Sequence, residues 1–382
     1  MEMPLWFSNL LFWSMQVAVL VLSAGLLARA LQIQYPRVLV AAWRSLLAVT
    51  MLLPFVQPWR RPPAIPPTPI ATDFAGVPLP PPYGPAAGHW HFPNLQSVAP
   101  VLGVAILVGV ASRFAALGLG LLKLRGLRQS SWPIPSSAPS ASVLEAMRAR
   151  VAAPAEFRFS AQVNSPVTFG FLTPVVLLPE RFASLDPRFQ SAIACHELLH
   201  VRRHDWAHHL GEEVLRALFW FHPAIAWLIS RVRLAREQVV DLEVVRVIEA
   251  RKPYLEALLE FASRRASIAA TPAPPFLAER QLVERVALML KEVRMSRRRL
   301  IGSLTLISCC LALVVVLTVR TFPLKAAPLA DQSAPKIGVP GGVAGGISQG
   351  ISHGVAEGIS KGIVGGVSSG VSGAIGTPRV PG

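Results

Sequence analysis

Long apolar runs recur along the chain and predict helices that cross a membrane. The first covers Leu5 to Ala28, and the second covers about Val38 to Val56. A third runs from about Val98 to Leu122, and a fourth runs from Leu300 to Val319. Because roughly 20 residues of helix span a hydrocarbon core of about 30 Å, each run is long enough to cross.

Two other segments lack this pattern and predict chain outside the membrane. The loop at about 58–97 contains Pro62-Pro63 and Pro80-Pro81-Pro82 with almost no charge, which favours extended, polyproline-like backbone. Residues 321–382 have a glycine at every fourth position from Gly342 to Gly370, each followed by Val or Ile. We interpret this tail as a low-complexity linker.

Residues 123–299, between the third and fourth runs, have the mixed pattern of a folded domain. A short helix is expected from about Ala141 to Val151, and paired strands are expected between Ser165 and Pro179, where β-branched and aromatic residues alternate with Gly and Pro. Asp186 and Pro187 predict a helix start. We expect that helix to run through Asp205 and toward His209.

Composition and charge support this division. The 382 residues have a mean hydropathy of +0.47, yet the formal net charge is +16. Residues 123–299 hold 26 Lys and Arg against 17 Asp and Glu. Since positive loops stay in the cytoplasm, we expect residues 123–299 to be cytoplasmic and both termini extracytoplasmic. A basic charge could also indicate nucleic-acid binding, but the hydrophobic average favours Arg-rich segments held on one side of a membrane.

The chemistry is concentrated in His196-Glu197-Leu198-Leu199-His200, which has the form H-E-x-x-H. On a helix, the two histidines lie one turn apart on the same face and can bind one zinc ion. Glu197 can then act as general base toward a water at the metal. His204 is a poor third ligand, because eight residues of straight helix rise about 12 Å.

A carboxylate downstream is the better third ligand. Glu237 on a second helix would complete a His₂Glu site, and Asp241, one turn on, could accept a hydrogen bond from a ligating histidine. The alternative for both acids is a solvated face or an ion pair with Arg233 or Arg236. The apolar stretch 214–229, interrupted by Pro223, is either buried core or a segment packed at the membrane.

The strand region also offers two interpretations. In zinc proteases, a strand beside the metal helix often holds an extended substrate through its main chain. Phe169, Gly170 and Phe171 are the candidates for that role, and the alternative is a strand that only fills the core.

In this order, the motifs resemble the BlaR–MecR family of membrane zinc metallopeptidases. The resemblance rests on Val167–Phe171 with Pro174–Pro179, on the H-E-x-x-H motif with Arg203 and Asp205, and on Phe219–Pro223 leading to Glu237 and Asp241. Val239-Val240 departs from the Ala-Cys that often precedes the Asp in this family. The arrangement of three spans, a protease and one further span is similar too, so the likeness covers roughly residues 1–320.

The resemblance implies a mainly α-helical membrane protein with four transmembrane helices. Residues 1–122 would hold three spans, residues 123–299 an inserted cytoplasmic α+β zincin-like domain, residues 300–320 the fourth span, and residues 321–382 the tail. His196, His200 and Glu237 would bind one Zn²⁺ per chain, Glu197 would be the catalytic base, and Asp241 would support a ligand. Only about sixty residues follow Arg320, so we expect no penicillin-binding sensor domain in this sequence.

Two functions are therefore weighed. The first is a peptidase of the inner membrane that transduces a signal by cleaving a cytoplasmic protein, such as a winged-helix repressor, or itself. The second is a non-proteolytic scaffold or transducer with a structural or vestigial metal site. The expected partners are membrane lipid, the cytoplasmic substrate and a second copy of the chain in a homodimer, without direct contact to nucleic acid.

Overall fold

The protein is largely helical in a computed structural model that describes residues 4–61, 95–268, 275–291 and 296–327. Four of the described helices are long and apolar enough to cross a membrane. They are α1 (Leu5–Ala30), α2 (Pro36–Val56), α3 (Leu95–Ser130) and α10 (Arg297–Thr321). Most of the Pro-rich loop and all of the glycine-repeat tail lie outside the described residues.

The ends of three of these helices meet on one side. The side chain of Asn9 bonds both backbone groups of Lys325, just after α10. The backbone N–H of Arg60 donates to the carbonyl of Leu324 at 2.7 Å. The start of α1, the chain after α2 and the chain after α10 therefore lie together, as four membrane crossings by α1, α2, α3 and α10 would require.

A small mixed sheet lies between α3 and α10 in the chain. Its strands are β1 (Trp132–Pro133), β2 (Glu156–Ser160), β3 (Val167–Phe169) and β4 (Val175–Pro179). The strand order is β1-β2-β4-β3, in which β2 and β4 are parallel and the two outer pairs are antiparallel. β3 is thus an edge strand, and α4 (Pro139–Val151) connects β1 to β2.

Five helices follow the sheet and a short 3₁₀ turn at Glu180–Ser184. They are α5 (Pro187–Arg202), α6 (Asp205–Leu218), α7 (Pro223–Ile248), α8 (Arg251–Ile268) and α9 (Pro275–Leu290). The side chain of Asp186 accepts a hydrogen bond from the Arg188 N–H, and Pro187 takes the first helical position, as the sequence predicts.

The prediction that α5 continues through Asp205 is wrong. α5 ends at Arg202, and His204 has left-handed backbone (φ 53°, ψ 35°) immediately before α6. A histidine reaches this region more readily than a β-branched residue does. α5 therefore ends two residues after His200, and the chain turns at Arg203 and His204.

Helix α7 belongs to two hydrophobic cores at once. Its first half, including Ile225 and Leu228, packs with α1 and α2, and its second half, including Val244, packs with α4, α5 and the sheet. The change of partner falls between two consecutive buried residues, Val239 and Val240. One rigid helix therefore joins the spanning helices to the domain.

Two arginines fix α7 against α6. Arg236 forms a buried ion pair with Glu212, with 2.7 Å between Nη1 and Oε1. Arg233 bonds both Glu212 and Glu213. A buried ion pair adds little net stability but is costly to break, so these contacts fix the relative position of the two helices.

The turn after α6 packs on the spanning helices. Trp13 of α1 lies 5.1 Å from the Phe219 ring and 5.6 Å from the His222 ring. The Trp220 indole N–H donates to the Ile106 carbonyl of α3 at 3.3 Å. The second half of segment 214–229 is buried core, since Ile225, Leu228 and Ile229 are fully buried, and packing of the segment at the membrane stays a prediction.

Gly109 is what allows Trp220 to approach α3. A Cβ added at Gly109 would clash with Cε2 of that indole, whereas one added at Gly118 would meet nothing within 4 Å. We expect Gly109→Ala to destabilise the protein by about 1–3 kcal/mol through overpacking, and Gly118→Ala to leave its stability unchanged or raise it. Thermal unfolding of the detergent-solubilised protein measures both.

A double variant separates this contact from a general effect on α3. Truncating the indole in Gly109→Ala/Trp220→Ala should remove most of the extra cost of the alanine, since the clash no longer exists. An equal cost of Gly109→Ala in the presence and absence of Trp220 would contradict the packing seen here.

Candidate metal centre

Three possible metal ligands converge between α5 and α7. His196 and His200 lie one turn apart, with 3.1 Å between their Nε2 atoms. Glu237 faces them from α7, with its oxygens 3.6 Å from His196 Nε2 and 3.7 Å from His200 Nε2. Glu237 does not take the alternative of an ion pair with Arg233 or Arg236, because both arginines bond glutamates of α6.

The spacing of these atoms fits a tetrahedral ion. Ligand bonds of about 2.0–2.1 Å place neighbouring ligand atoms about 3.4 Å apart, close to the three distances observed. Within the described ranges, His196, His200 and Glu237 form the one cluster of three such groups whose ligand atoms lie within 4.8 Å of one another. Two imidazoles and one carboxylate are a donor set typical of catalytic zinc.

Asp205 supports His200 from behind. Its Oδ2 lies 2.9 Å from His200 Nδ1 and also accepts a hydrogen bond from Arg203 Nε. Because Nε2 of His200 faces the other ligands, its Nδ1 carries the proton and donates a hydrogen bond to Asp205. This bond fixes the tautomer and the orientation of the ring. This contact exists because the chain turns at His204.

His196 is supported through a tyrosine. Its Nδ1 lies 2.9 Å from Tyr254 Oη, and that hydroxyl donates to Asp241 Oδ1 at 2.5 Å. Asp241 itself is 3.7 Å from Nδ1, beyond a good hydrogen bond. Asp241 therefore lies beside the ligand, as expected, but it acts mainly through Tyr254, which the sequence analysis did not identify.

Arg285 on α9 completes this side of the centre. Its Nε and Nη2 bond the two oxygens of Asp241 at 2.8 and 2.7 Å, and its Nη1 lies 3.6 Å from Glu237. Such a bidentate pair is geometrically specific. Burial alone would lower the pKa of Arg285, but its hydrogen bonds to the Asp241 carboxylate and the nearby charge of Glu237 raise that pKa overall.

The protein charges keep Glu237 ionised. Burial alone would raise the pKa of its carboxyl group, but His200, the contact with His196 and Arg285 outweigh burial and hold that pKa well below its ordinary value. In His200, burial would lower the pKa, but Glu237 and Asp205 raise it overall. An anionic carboxylate facing two imidazoles suits a divalent cation.

Glu197 is held by the neighbouring strand. The Thr168 hydroxyl donates to Glu197 Oε2 at 2.5 Å, which connects edge strand β3 to the helix that carries the histidines. The Glu197 side chain is half-buried. The other carboxylate oxygen is not used in this bond and is available to a water or a substrate.

The three residues predicted to hold the substrate backbone, Phe169, Gly170 and Phe171, do not lie on one strand. Phe169 ends β3 and is buried in a small cluster with Val175 and Leu177. Gly170 lies past the strand with a φ of +105°, and Phe171 is exposed in the turn that follows. A side chain at Gly170 would approach the Thr173 carbonyl, so glycine suits this turn.

Several groups in the centre gave little signal in the sequence. Asp205 lies just after the motif in the sequence, but its contact with His200 requires a helix break that no Gly or Pro marks. Tyr254 is 58 residues from His196, and Arg285 is 44 residues from Asp241. Periodicity on one helix cannot find such partners.

Comparison with known proteins identifies the family. Residues 85–289 match the family described as BlaR1 peptidase M56, and this match covers more than half of the chain. The chain belongs to the BlaR1 peptidase M56 family. The match contains all three converging ligands and Glu197.

Curated relatives agree with this assignment at low identity. Regulatory protein BlaR1 of Bacillus licheniformis is 26% identical over 103 residues, which is 26% of this chain and 17% of that protein. The methicillin resistance mecR1 protein of Staphylococcus aureus is 28% identical over 93 residues, which is 24% of this chain and 16% of that protein. Each comparison thus spans about a sixth of the relative.

Taken together, the family and the four apolar helices indicate a multi-pass membrane protein of the metallopeptidase type. One of the relatives is named a regulatory protein. The His-His-Glu cluster supplies the chemistry that this assignment requires.

The support of His200 leads to a prediction for Asp205→Asn. Replacing the carboxylate by an amide should lower zinc affinity about 10- to 100-fold, since partners behind a ligating histidine set its orientation and basicity. Competition with a chromogenic chelator on the purified full-length protein measures the affinity.

The control for this variant is His204→Asn. His204 is exposed and lies outside the cluster, and asparagine tolerates left-handed backbone as histidine does. We expect its zinc affinity to equal that of the wild type. An unchanged affinity in Asp205→Asn would show that Asp205 does not support the site.

Proposed function

We propose that this protein is a membrane-embedded zinc metalloendopeptidase that transduces a signal by cleaving a cytoplasmic protein, itself, or both. His196, His200 and Glu237 hold one Zn²⁺, and Glu197 is the catalytic base. The observation that carries the proposal is the convergence of the three ligand atoms within 4.8 Å, beside the glutamate of the same motif.

The roles of the residues follow from their contacts. Bound zinc would lower the pKa of a water and polarise the substrate carbonyl. Glu197 takes a proton from the attacking water and delivers it to the leaving amine. Thr168 fixes one carboxylate oxygen of Glu197, so the other is presented in a defined direction. Asp205 and Tyr254 keep the two imidazoles in the orientation that binds the ion.

Edge strand β3 is the proposed site for the substrate backbone. β3 pairs with β4 on one side, and its other side has no neighbour in the strand order. An extended peptide can pair with such an edge through main-chain hydrogen bonds. Thr168 in the middle of β3 bonds Glu197, so a peptide on this edge would pass close to the base.

The orientation in the membrane and the partners are part of the proposal. The basic charge of segment 123–299 supports a cytoplasmic metal centre under the positive-inside rule, with both termini outside. One relative is named a regulatory protein, which favours a regulatory substrate such as a winged-helix repressor. A homodimer and the surrounding lipid are the other proposed partners.

The decisive variant is Glu197→Gln. It keeps the size of the side chain and the three ligands, so zinc content should equal that of the wild type, while cleavage should fall about a hundred- to ten-thousand-fold through loss of the base. The measurement is quantitative sequencing of new protein N-termini in cells that make either form at equal levels, together with zinc analysis of the purified proteins.

The matched control is Glu145→Gln, which changes an exposed glutamate on α4 and should cleave as the wild type does. Equal cleavage products in the Glu197→Gln and wild-type cells, with zinc retained in both, would instead support the non-proteolytic scaffold.

Thr168 provides a second, graded test. Thr168→Val removes the hydroxyl that bonds Glu197, and we expect kcat to fall about tenfold or more with little change in KM, because hydrogen bonds to charged groups contribute about 1.5–3 kcal/mol. Thr168→Ser keeps the hydroxyl and should retain most of the activity. Both are measured on a synthetic peptide that spans a cleavage site found by the N-terminal sequencing.

The pair of variants distinguishes positioning from folding. If Thr168→Ser reduced kcat as much as Thr168→Val, the packing of the side chain would matter rather than the bond to Glu197, because serine keeps the hydroxyl.

A further inference from the structure

A large open groove lies away from the metal centre, between the spanning helices and the domain. Its volume is about 1150 Å³, and its walls come from α1, α2, α7 and α9. Along α1 the groove extends from Ala18 to Arg29. Eleven residues of helix rise about 16 Å, which is about half of a hydrocarbon core of roughly 30 Å. The groove is therefore as long as one leaflet of a bilayer is deep.

The part of the groove that lies along α1, away from the domain, is apolar. Val19, Leu22 and Leu26 of α1 form one wall, and Leu22 and Leu26 are 66% and 60% exposed. Trp227 of α7 lies against Gly25 of α1, forms the adjoining wall and is itself 41% exposed, supported edge-on by buried Trp43 at 5.7 Å. Tryptophan beside aliphatic side chains is typical of the membrane interface.

The end of the groove near the domain is basic. Arg29 and Lys291 are exposed, and neither has an ion-pair partner in the part of the chain that the structure describes. Arg231 lies over the Trp227 ring at 5.9 Å and shares its charge with Glu284. Neutral hydrogen-bonding side chains at the same end are Gln32, Ser230 and Gln281.

From this combination we infer that the groove binds one anionic phospholipid, with an acyl chain along Leu22 and Leu26 and the phosphate between Arg29, Arg231 and Lys291. The length of the groove matches one monolayer, and its charge changes from neutral to positive where a headgroup would lie. A soluble phosphate would use the basic end alone and would leave the apolar wall uncovered. A neutral lipid would leave Arg29 and Lys291, which have no ion-pair partner among the described residues, without a counter-charge.

Lipid retention by the purified full-length protein tests this site. Dioleoyl phosphatidylglycerol and dioleoyl phosphatidylcholine are offered in equal amounts in detergent, and native mass spectrometry counts the bound lipid. We expect one phosphatidylglycerol per chain, retained in preference to phosphatidylcholine. Because each basic residue contributes about fivefold at an anionic headgroup, Arg29→Gln/Lys291→Gln should weaken retention on the order of tenfold or more.

A charge-matched variant controls for the general basicity of the protein. Arg125→Gln/Arg298→Gln also removes two exposed arginines, but neither residue lines the groove, so retention should stay as in the wild type. A second measurement follows Trp227 directly. Brominated phosphatidylglycerol should quench part of the tryptophan fluorescence, and Trp227→Phe should remove that part.

Three results would overturn the assignment. Equal retention of the two lipids would show a nonspecific apolar surface. Displacement of phosphatidylglycerol by glycerol 3-phosphate at matched concentration would show a site for soluble phosphate. Quenching that persists unchanged in Trp227→Phe would show that lipid does not enter the groove, as expected if another part of the chain covers it. None of these readouts depends on peptide cleavage.

Discussion

The metal centre depends on the distance between two helices, because α5 supplies two ligands and α7 supplies the third. A carboxylate oxygen 3.6 to 3.7 Å from two imidazole nitrogens leaves little tolerance for movement of either helix. α7 is held on three sides. Its apolar faces are buried in two cores, and Arg236 and Arg233 fix it to α6 through Glu212 and Glu213.

Charge balance is the second constraint. Buried carboxylates are unfavourable unless they are paired, and three of the four acids close to the histidines have a hydrogen-bonded partner. Asp205 bonds His200 and Arg203, Asp241 bonds Tyr254 and Arg285, and Glu197 bonds Thr168. Glu237 is the exception, since it has histidines and a more distant Arg285 at 3.6 Å. A divalent cation between these groups would supply the charge that the protein leaves uncompensated there.

Local sequence signals predicted the elements that local physics determines. The four apolar runs and the Asp186-Pro187 helix start follow from length, hydropathy and capping alone. The spacing of His196 and His200 requires only the geometry of one helix. The end of α5 was missed because Arg203 and His204 are neither glycine nor proline, and the left-handed residue is recognisable only once Asp205 is seen to bond His200.

Contacts between distant elements could not be read in the same way. Nothing along α7 shows that Asp241 reaches His196 through Tyr254, because the hydroxyl comes from α8 and the guanidinium that holds Asp241 comes from α9. The prediction that Phe169, Gly170 and Phe171 lie on one strand also differs from the structure, in which only Phe169 belongs to β3. The positive φ at Gly170 ends β3 after Phe169, so the usable edge is centred on Thr168 instead.

The shared role of α7 limits how this molecule can be divided. A fragment beginning after α3 would contain every residue of the metal centre, yet it would leave Ile225, Leu228, Ile229 and Val232 without the α1 and α2 side chains that bury them. An apolar strip of that kind on a water-soluble piece promotes aggregation. The folded unit that holds the metal centre therefore includes part of the spanning helices, and it extends further along the chain than the ligands alone would suggest.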